Sequence, residues 1–92
     1  MNYRHIYHAG NFADVFKHWI ITLILERLCV KDKPFCILDT HAGIGFYDLH
    51  NENAQKTREA ASGVNLLINK NTKDAFAEYL KIVKDYMQHN VY

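Results

Sequence analysis

One short apolar run, Phe35-Cys36-Ile37-Leu38, stands between Pro34 and the glycine-bearing segment Asp39-Thr40-His41-Ala42-Gly43-Ile44-Gly45. A continuous run of this length, bounded by a proline before it and glycines after it, reads as a strand buried on both faces of a parallel sheet. It constrains the fold more than any other feature, because no second strand of comparable quality is legible along the 92 residues. A sheet cannot be made from one strand, so the segment implies neighbours that the sequence does not itself spell out.

Helices flank it. Asn11 followed three residues later by Asp14 supplies an N-cap and a first-turn acid. Val15, Phe16, Trp19, Ile20, Leu23, Ile24 and Leu28 then recur at intervals of one, three and four, which lays an apolar stripe on a helix from near Phe12 to about Val30. Lys31-Asp32-Lys33-Pro34 ends that helix, since the residue before a proline is pushed out of the helical region. Past the glycine turn, Phe46 to His50 reads as the start of a helix, Asn51 to Arg58 as loop, and Ala60 to Ile68 as a short helix weakened by Gly63. Asn71 or Thr72 caps a last helix. It carries Ala75, Phe76, Tyr79, Leu80, Val83 and Met87 on one side and Lys73, Glu78, Lys81 and Lys84 on the other.

Composition narrows the function. Hydrophobic residues at 49% and charged residues at 23% fit an ordinary globular chain and not a disordered one. Eleven Lys plus Arg against ten Asp plus Glu leave a net charge of +1, so any contact with nucleic acid must be local. Cys29 and Cys36 lack a CxxC spacing and read as reduced, half-buried thiols, neither a disulfide framework nor a zinc ribbon. The longest apolar run, Trp19 to Leu25, is interrupted by Thr22 and falls far short of the roughly 20 residues a membrane span needs. With no secretory signal legible, the cytoplasm is the expected compartment.

The segment Asp39 to Gly45 has the form acid-x-x-x-Gly-x-Gly directly after a strand. Glycines there let the backbone bend sharply and approach a ligand, and ligands of open α/β sheets bind at such carboxyl ends. Asp39 and Gly43 are therefore candidate contacts for a nucleotide-type cofactor; a plain strand-to-helix turn is the alternative. Asp48 stands where a dinucleotide fingerprint would place its third glycine, and no GK[ST] follows, so a methyl-donor nucleoside is the best reading of the pattern. The six histidines invite a metal site around His5 and His8, with His18 and His41 as further ligands, but acids are not clustered with them and no metal is expected. His18 reads as a boundary residue beside the apolar stripe, and Lys17 and Asp14 as a solvated face. Tyr3, Arg4, His5 and Tyr7 interleave aromatic and polar groups as single-strand binders do, against the plainer reading of a frayed terminus.

The run Tyr3-Arg4-His5-x-Tyr7-His8-Ala9-Gly10-Asn11-x-Ala13-Asp14-Val15-x-Lys17-His18, followed by Lys31-Asp32-Lys33-Pro34-Phe35 and Leu38-Asp39-Thr40-His41-Ala42-Gly43-x-Gly45-x-Tyr47, resembles the RlmJ family of 23S rRNA adenine-N6 methyltransferases. The match is strong over residues 1–50 and weak beyond. The resemblance implies an α/β, Rossmann-like methyltransferase fold with S-adenosylmethionine as cofactor, and methyl transfer to an adenine of 23S rRNA not yet assembled into the ribosome. It implies a protein monomeric when intact. Residues 1–50 would hold the N-terminal motif, first helix, first strand and cofactor turn, and residues 51–92 an inserted helical subdomain. By the same resemblance, His18 and His41 contact the cofactor, Tyr3 contacts the RNA, and Lys17 is an auxiliary to binding or catalysis.

The family carries a later Asp-Pro-Pro-Tyr motif that holds the target amine, whereas Pro34 stands alone in this sequence. The expectation is therefore the N-terminal portion of a methyltransferase, without a catalytic aspartate of its own. Two rivals remain open at this point. One is a binding or interaction module whose first and last helices pair with another protein. The other is a cofactor binder derived from a methyltransferase and lacking RNA activity.

Overall fold

The computed structural model describes residues 3–68 and 76–92. Helix α1 spans Phe12–Cys29 and begins where the cap signal places it, with the Asn11 Oδ1 accepting the Asp14 N–H at 2.8 Å. Before it, a 3-10 turn covers His5–Tyr7. After residue 50 come α2 at Glu52–Thr57, a 3-10 turn at Glu59–Ser62, α3 at Val64–Leu67 and α4 at Ala77–Met87.

The core lies where the start of α1 meets these later helices. Ala9 and Val15 from the N-terminal part are buried together with Leu49, Val64, Tyr79, Leu80 and Val83, and Trp19, Phe76 and Tyr92 close over them. Trp19 and Phe76 stack with ring centroids 4.2 Å apart and planes 11° from parallel. α4 is amphipathic as its spacing requires: Tyr79, Leu80 and Val83 are buried while Glu78 and Lys81 are exposed, with Lys84 between the two.

Two glycines make the closest approach. The Val64 N–H donates to the Gly10 carbonyl at 2.8 Å. Gly10 has φ +77°, and a Cβ on it would stand 2.9 Å from the Val64 Cγ1. A Cβ on Gly63 would stand 2.6 Å from the Asn11 carbonyl carbon. Only residues without a side chain let these two stretches of backbone meet. A short antiparallel pairing then ties residue 47 to residue 92: the Tyr47 N–H donates to the Tyr92 carbonyl at 2.8 Å, and the Tyr92 N–H returns to the Tyr47 carbonyl at 2.9 Å.

Several sequence expectations fail for identifiable reasons. Among the described residues there is no strand, and Phe35-Cys36-Ile37-Leu38 forms none, with Ile37 62% and Leu38 85% exposed. A strand is stabilised by the ladder it joins, and no described segment offers one here. Phe46 to His50 is not a helix: Tyr47 and Leu49 donate to the carbonyls of Tyr92 and Asn90, and the Asp48 Oδ1 takes the His50 N–H at 2.9 Å. Asn51 to Arg58 is not loop. The Asn51 Oδ1 caps α2 by accepting the Asn53 N–H, and Arg58 closes it in the left-handed conformation at φ 52°.

Ala60 to Ile68 is helical as read, but broken into a 3-10 turn and α3 at Gly63. Cys29 and Cys36 are exposed free thiols, not half-buried ones. The capping expectation at Asn71 or Thr72, with Lys73 and Ala75, lies outside the described residues.

The apolar stripe of α1 is real in sequence but mostly uncovered. Val15 is buried and Trp19 and Leu23 are half-buried, whereas Phe16 is 60% and Ile24 54% exposed, with Ile20 and Leu28 also open. Ile21, off that stripe, is exposed as well. A helix apolar on more than one side is built to be covered on more than one side.

Candidate functional site: an aromatic and histidine cleft at the start of helix 1

The groups that converge most closely do so around Asp14. Its side chain sits in the first turn of α1 and is 2% exposed, a buried carboxyl where the sequence suggested a solvated face. The Asp14 Oδ2 accepts the Gly10 N–H at 3.0 Å and lies 2.6 Å from the His5 Nε2, while the Lys17 Nζ stands 3.4 Å from Oδ1. His5 comes within reach because the 3-10 turn folds the N-terminal strip back over the helix start. A buried carboxyl is stable only when its oxygens are this well supplied with donors.

The network continues outward. The Tyr3 hydroxyl is 2.6 Å from the His5 Nδ1, and the Tyr3 ring stacks on His8 at 5.6 Å with planes 12° apart. His8 is held in turn by Glu59, Nδ1 to Oε2 at 2.6 Å, and Tyr47 meets the His5 ring edge to face at 5.0 Å. Tyr3, His5, His8, Asn11, Ala13, Asp14 and Lys17 line an open cleft of about 310 Å³. Tyr7 is pinned from α2, its hydroxyl to the Asn53 Oδ1 at 3.3 Å and its carbonyl to the Thr57 hydroxyl. Residues 3–8 are thus tied down, not frayed, and among the described residues His5 and His8 bond carboxyls rather than converging as ligands of one metal.

The other sequence candidates lie elsewhere. His18 faces the core: its Nδ1 is 2.7 Å from the Tyr92 hydroxyl, which is 2.9 Å from the Tyr79 hydroxyl, and the His18 and Tyr92 rings stack at 5.5 Å. Burial pushes the His18 pKa below its ordinary value, with Asp14 opposing and Lys17 and His5 assisting. Burial also raises the Tyr79 pKa above its ordinary value and drives that of Tyr92 well beyond the usual tyrosine range. Asp39, His41 and Gly43 form an exposed turn in which the Asp39 Oδ1 accepts the His41 N–H at 3.0 Å and the Thr40 hydroxyl meets the His41 Nδ1 at 2.8 Å. Gly45 there has φ +89°, a conformation that glycine adopts without strain.

The structure therefore brings Tyr3 and Lys17 into one cleft and leaves His18 and the Asp39–Gly43 turn apart from it. Asp14, His5 and His8 are the members of the cleft that sequence reasoning undervalued. The signal that exposes their role is long-range: Glu59 and Gly63 must be in place before the N-terminal strip has anything to lie on.

The cleft is thus a strip of aromatic, imidazole and basic groups that stands apart from the exposed glycine turn. Comparison with known proteins sharpens this. The model of the family described as "Ribosomal RNA large subunit methyltransferase D, RlmJ" matches residues 32–91. The chain is 46% identical over 87 residues to the Ribosomal RNA large subunit methyltransferase J of Escherichia coli (strain K12), covering 94% of this chain and 31% of that protein. To the protein of the same name from Haemophilus influenzae (strain ATCC 51907 / DSM 11121 / KW20 / Rd) it is 42% identical over 85 residues, covering 91% of this chain and 30% of the relative. The chain belongs to the RlmJ family of ribosomal RNA large subunit methyltransferases and spans about a third of the length of these curated relatives.

Proposed function

We propose that this chain is the N-terminal portion of a Rossmann-like, S-adenosylmethionine-dependent methyltransferase that acts on the N6 amine of an adenine in 23S rRNA before ribosome assembly. The observation that carries the reading is the cleft of Tyr3, His5, Asp14 and Lys17 in a chain of the RlmJ family. An exposed aromatic ring beside a lysine ammonium suits an unpaired base and its phosphate, the two groups that single-stranded RNA offers. In this reading Tyr3 meets the RNA and Lys17, 57% exposed at the rim, aids binding or catalysis.

The cofactor side is assigned to Asp39, His41, Gly43 and His18. The turn at Asp39 to Gly45 fits such a group in its open backbone and its left-handed Gly45, and the His18 ring stands on the inner side of α1. When bound, S-adenosylmethionine supplies an electrophilic methyl on sulfur. The residues of this chain bind and orient; the acid that would hold the target amine is not among them. Residues 1–50 form the start of the catalytic domain and residues 51–92 an inserted helical subdomain, in a protein that is monomeric and cytoplasmic. No described helix is long and apolar enough to cross a membrane.

The test is methyl transfer from radiolabelled S-adenosylmethionine to unmodified large-subunit rRNA by the protein purified from its native source. Incorporation at an adenine amine is expected, and its absence at all concentrations sinks the proposal. A second reading, an interaction module without catalysis, is favoured by the uncovered apolar sides of α1. It expects co-purification with a partner protein in fixed ratio and no incorporation.

A further inference from the structure

Asp14 is the buried charged side chain among the described residues, and nothing in the proposed chemistry yet uses it. Its surroundings settle where one proton sits. A carboxylate only accepts hydrogen bonds, so the 2.6 Å contact between the Asp14 Oδ2 and the His5 Nε2 requires the hydrogen to be on Nε2. In the neutral ring the other nitrogen, Nδ1, then carries a lone pair, and the Tyr3 O–H points to it at 2.6 Å. The choice of tautomer at His5 is what makes Tyr3 a donor to the ring rather than a hydroxyl turned to solvent.

Tyr3 is held at two points as a result. The hydroxyl is tethered to His5, and the ring lies flat on His8, which Glu59 fixes from the 3-10 turn behind it. Tyr3 is 72% exposed, so core packing does not hold it and these two contacts decide where its ring stands. Asp14 itself cannot swing away, because Oδ2 is shared with the Gly10 N–H and its backbone N–H is capped by Asn11.

We infer that Asp14 is a positioning residue: by keeping the proton on the His5 Nε2 it aims the Tyr3 ring across the cleft, preset to receive a base. The inference rests on the proposed RNA-facing role of the cleft for its purpose, but not for its test. Pre-orienting one exposed ring removes part of the ordering cost of binding, and the tether is an ordinary hydrogen bond, so losing it weakens RNA affinity about two- to tenfold.

The experiment is ¹⁵N-resolved NMR of the histidine rings in the full chain, with the nuclear Overhauser contact between Tyr3 and His8 read in parallel. Wild type should show His5 as the Nε2–H tautomer with the Tyr3–His8 contact present. Asp14→Ala, which removes the oxygen that Gly10 and His5 share, should free the His5 ring and erase the Tyr3–His8 contact. Tyr3→Phe, a change at an exposed position that does not threaten the fold, should erase the contact while leaving the tautomer as it is.

An Nδ1–H tautomer in wild type overturns the inference whatever any variant does. So does an unaltered ring contact between residue 3 and His8 in Tyr3→Phe, or in a folded Asp14→Ala protein. Titration with a short adenine-containing single-stranded RNA tests the functional reading separately: no binding by wild type removes that reading, while the NMR result still decides the role of Asp14.

Discussion

Val64 has no exposed surface, so Val64→Ala removes two methyl groups from a site that solvent cannot reach. The loss is about 2 kcal/mol, read as a lower urea midpoint. Gly10→Ala is expected to cost about 1–3 kcal/mol, because the left-handed backbone and the nearby Val64 Cγ1 both resist a Cβ. Gly63→Ala should cost more, since its Cβ meets backbone, which cannot rotate aside as a methyl group can. Equality of the two variants in a denaturant titration would contradict that ordering. Asn11 was legible as a cap from its spacing alone, because a cap is decided within one turn of helix. Asp14 was not: three residues into the helix it looked like any first-turn acid, and only the return of His5 and Gly10 over it turns a surface charge into a buried acceptor.

At the scale of elements, His18 on α1 and Tyr79 on α4 are joined through Tyr92, and the joint is pH-sensitive in both directions. The folded state holds the His18 pKa below its ordinary value of 6.5, so the unfolded chain takes up that proton more readily. The contribution is complete above about pH 6.5 and is lost as the pH falls through the folded-state value. His18→Gln should flatten this part of the acid side of a melting-temperature profile, and an unchanged profile would count against it. Tyr79 and Tyr92 have raised values, so the fold keeps both hydroxyls protonated. Their contribution is intact below about pH 10 and disappears above it, and Tyr92→Phe should reduce that alkaline loss. α1 and α4 could be read from apolar spacing because each covers several turns. α2 could not, since its residues are nearly all polar and it is held by the Asn51 cap, buried Ala54 and the Gln55 side chain bonded to the Leu49 carbonyl at 2.7 Å. The strand at Phe35 to Leu38 shows the opposite case: the pattern is present, but a strand is a property of its neighbours.

Over the whole molecule, the buried core gathers at one end of α1, while Phe16, Ile20, Ile24, Leu28, Ile37 and Leu38 remain open to solvent. Exposed apolar surface on this scale marks a face meant for burial. The purified 92-residue chain should therefore bind a hydrophobic dye such as anilinonaphthalene sulfonate and self-associate as its concentration rises, both readable in one fluorescence and sedimentation series. A dye-silent monomer would show that the open face needs no cover. The pairing of Tyr47 with Tyr92 bears on a different question. Because the polypeptide leaves and comes back at almost the same place, the stretch between those two tyrosines is a closed loop of chain whose ends stay together. Within it, Glu59 holds His8 and the Val64 N–H holds the Gly10 carbonyl, so the loop works as a clasp shut on the residues before α1.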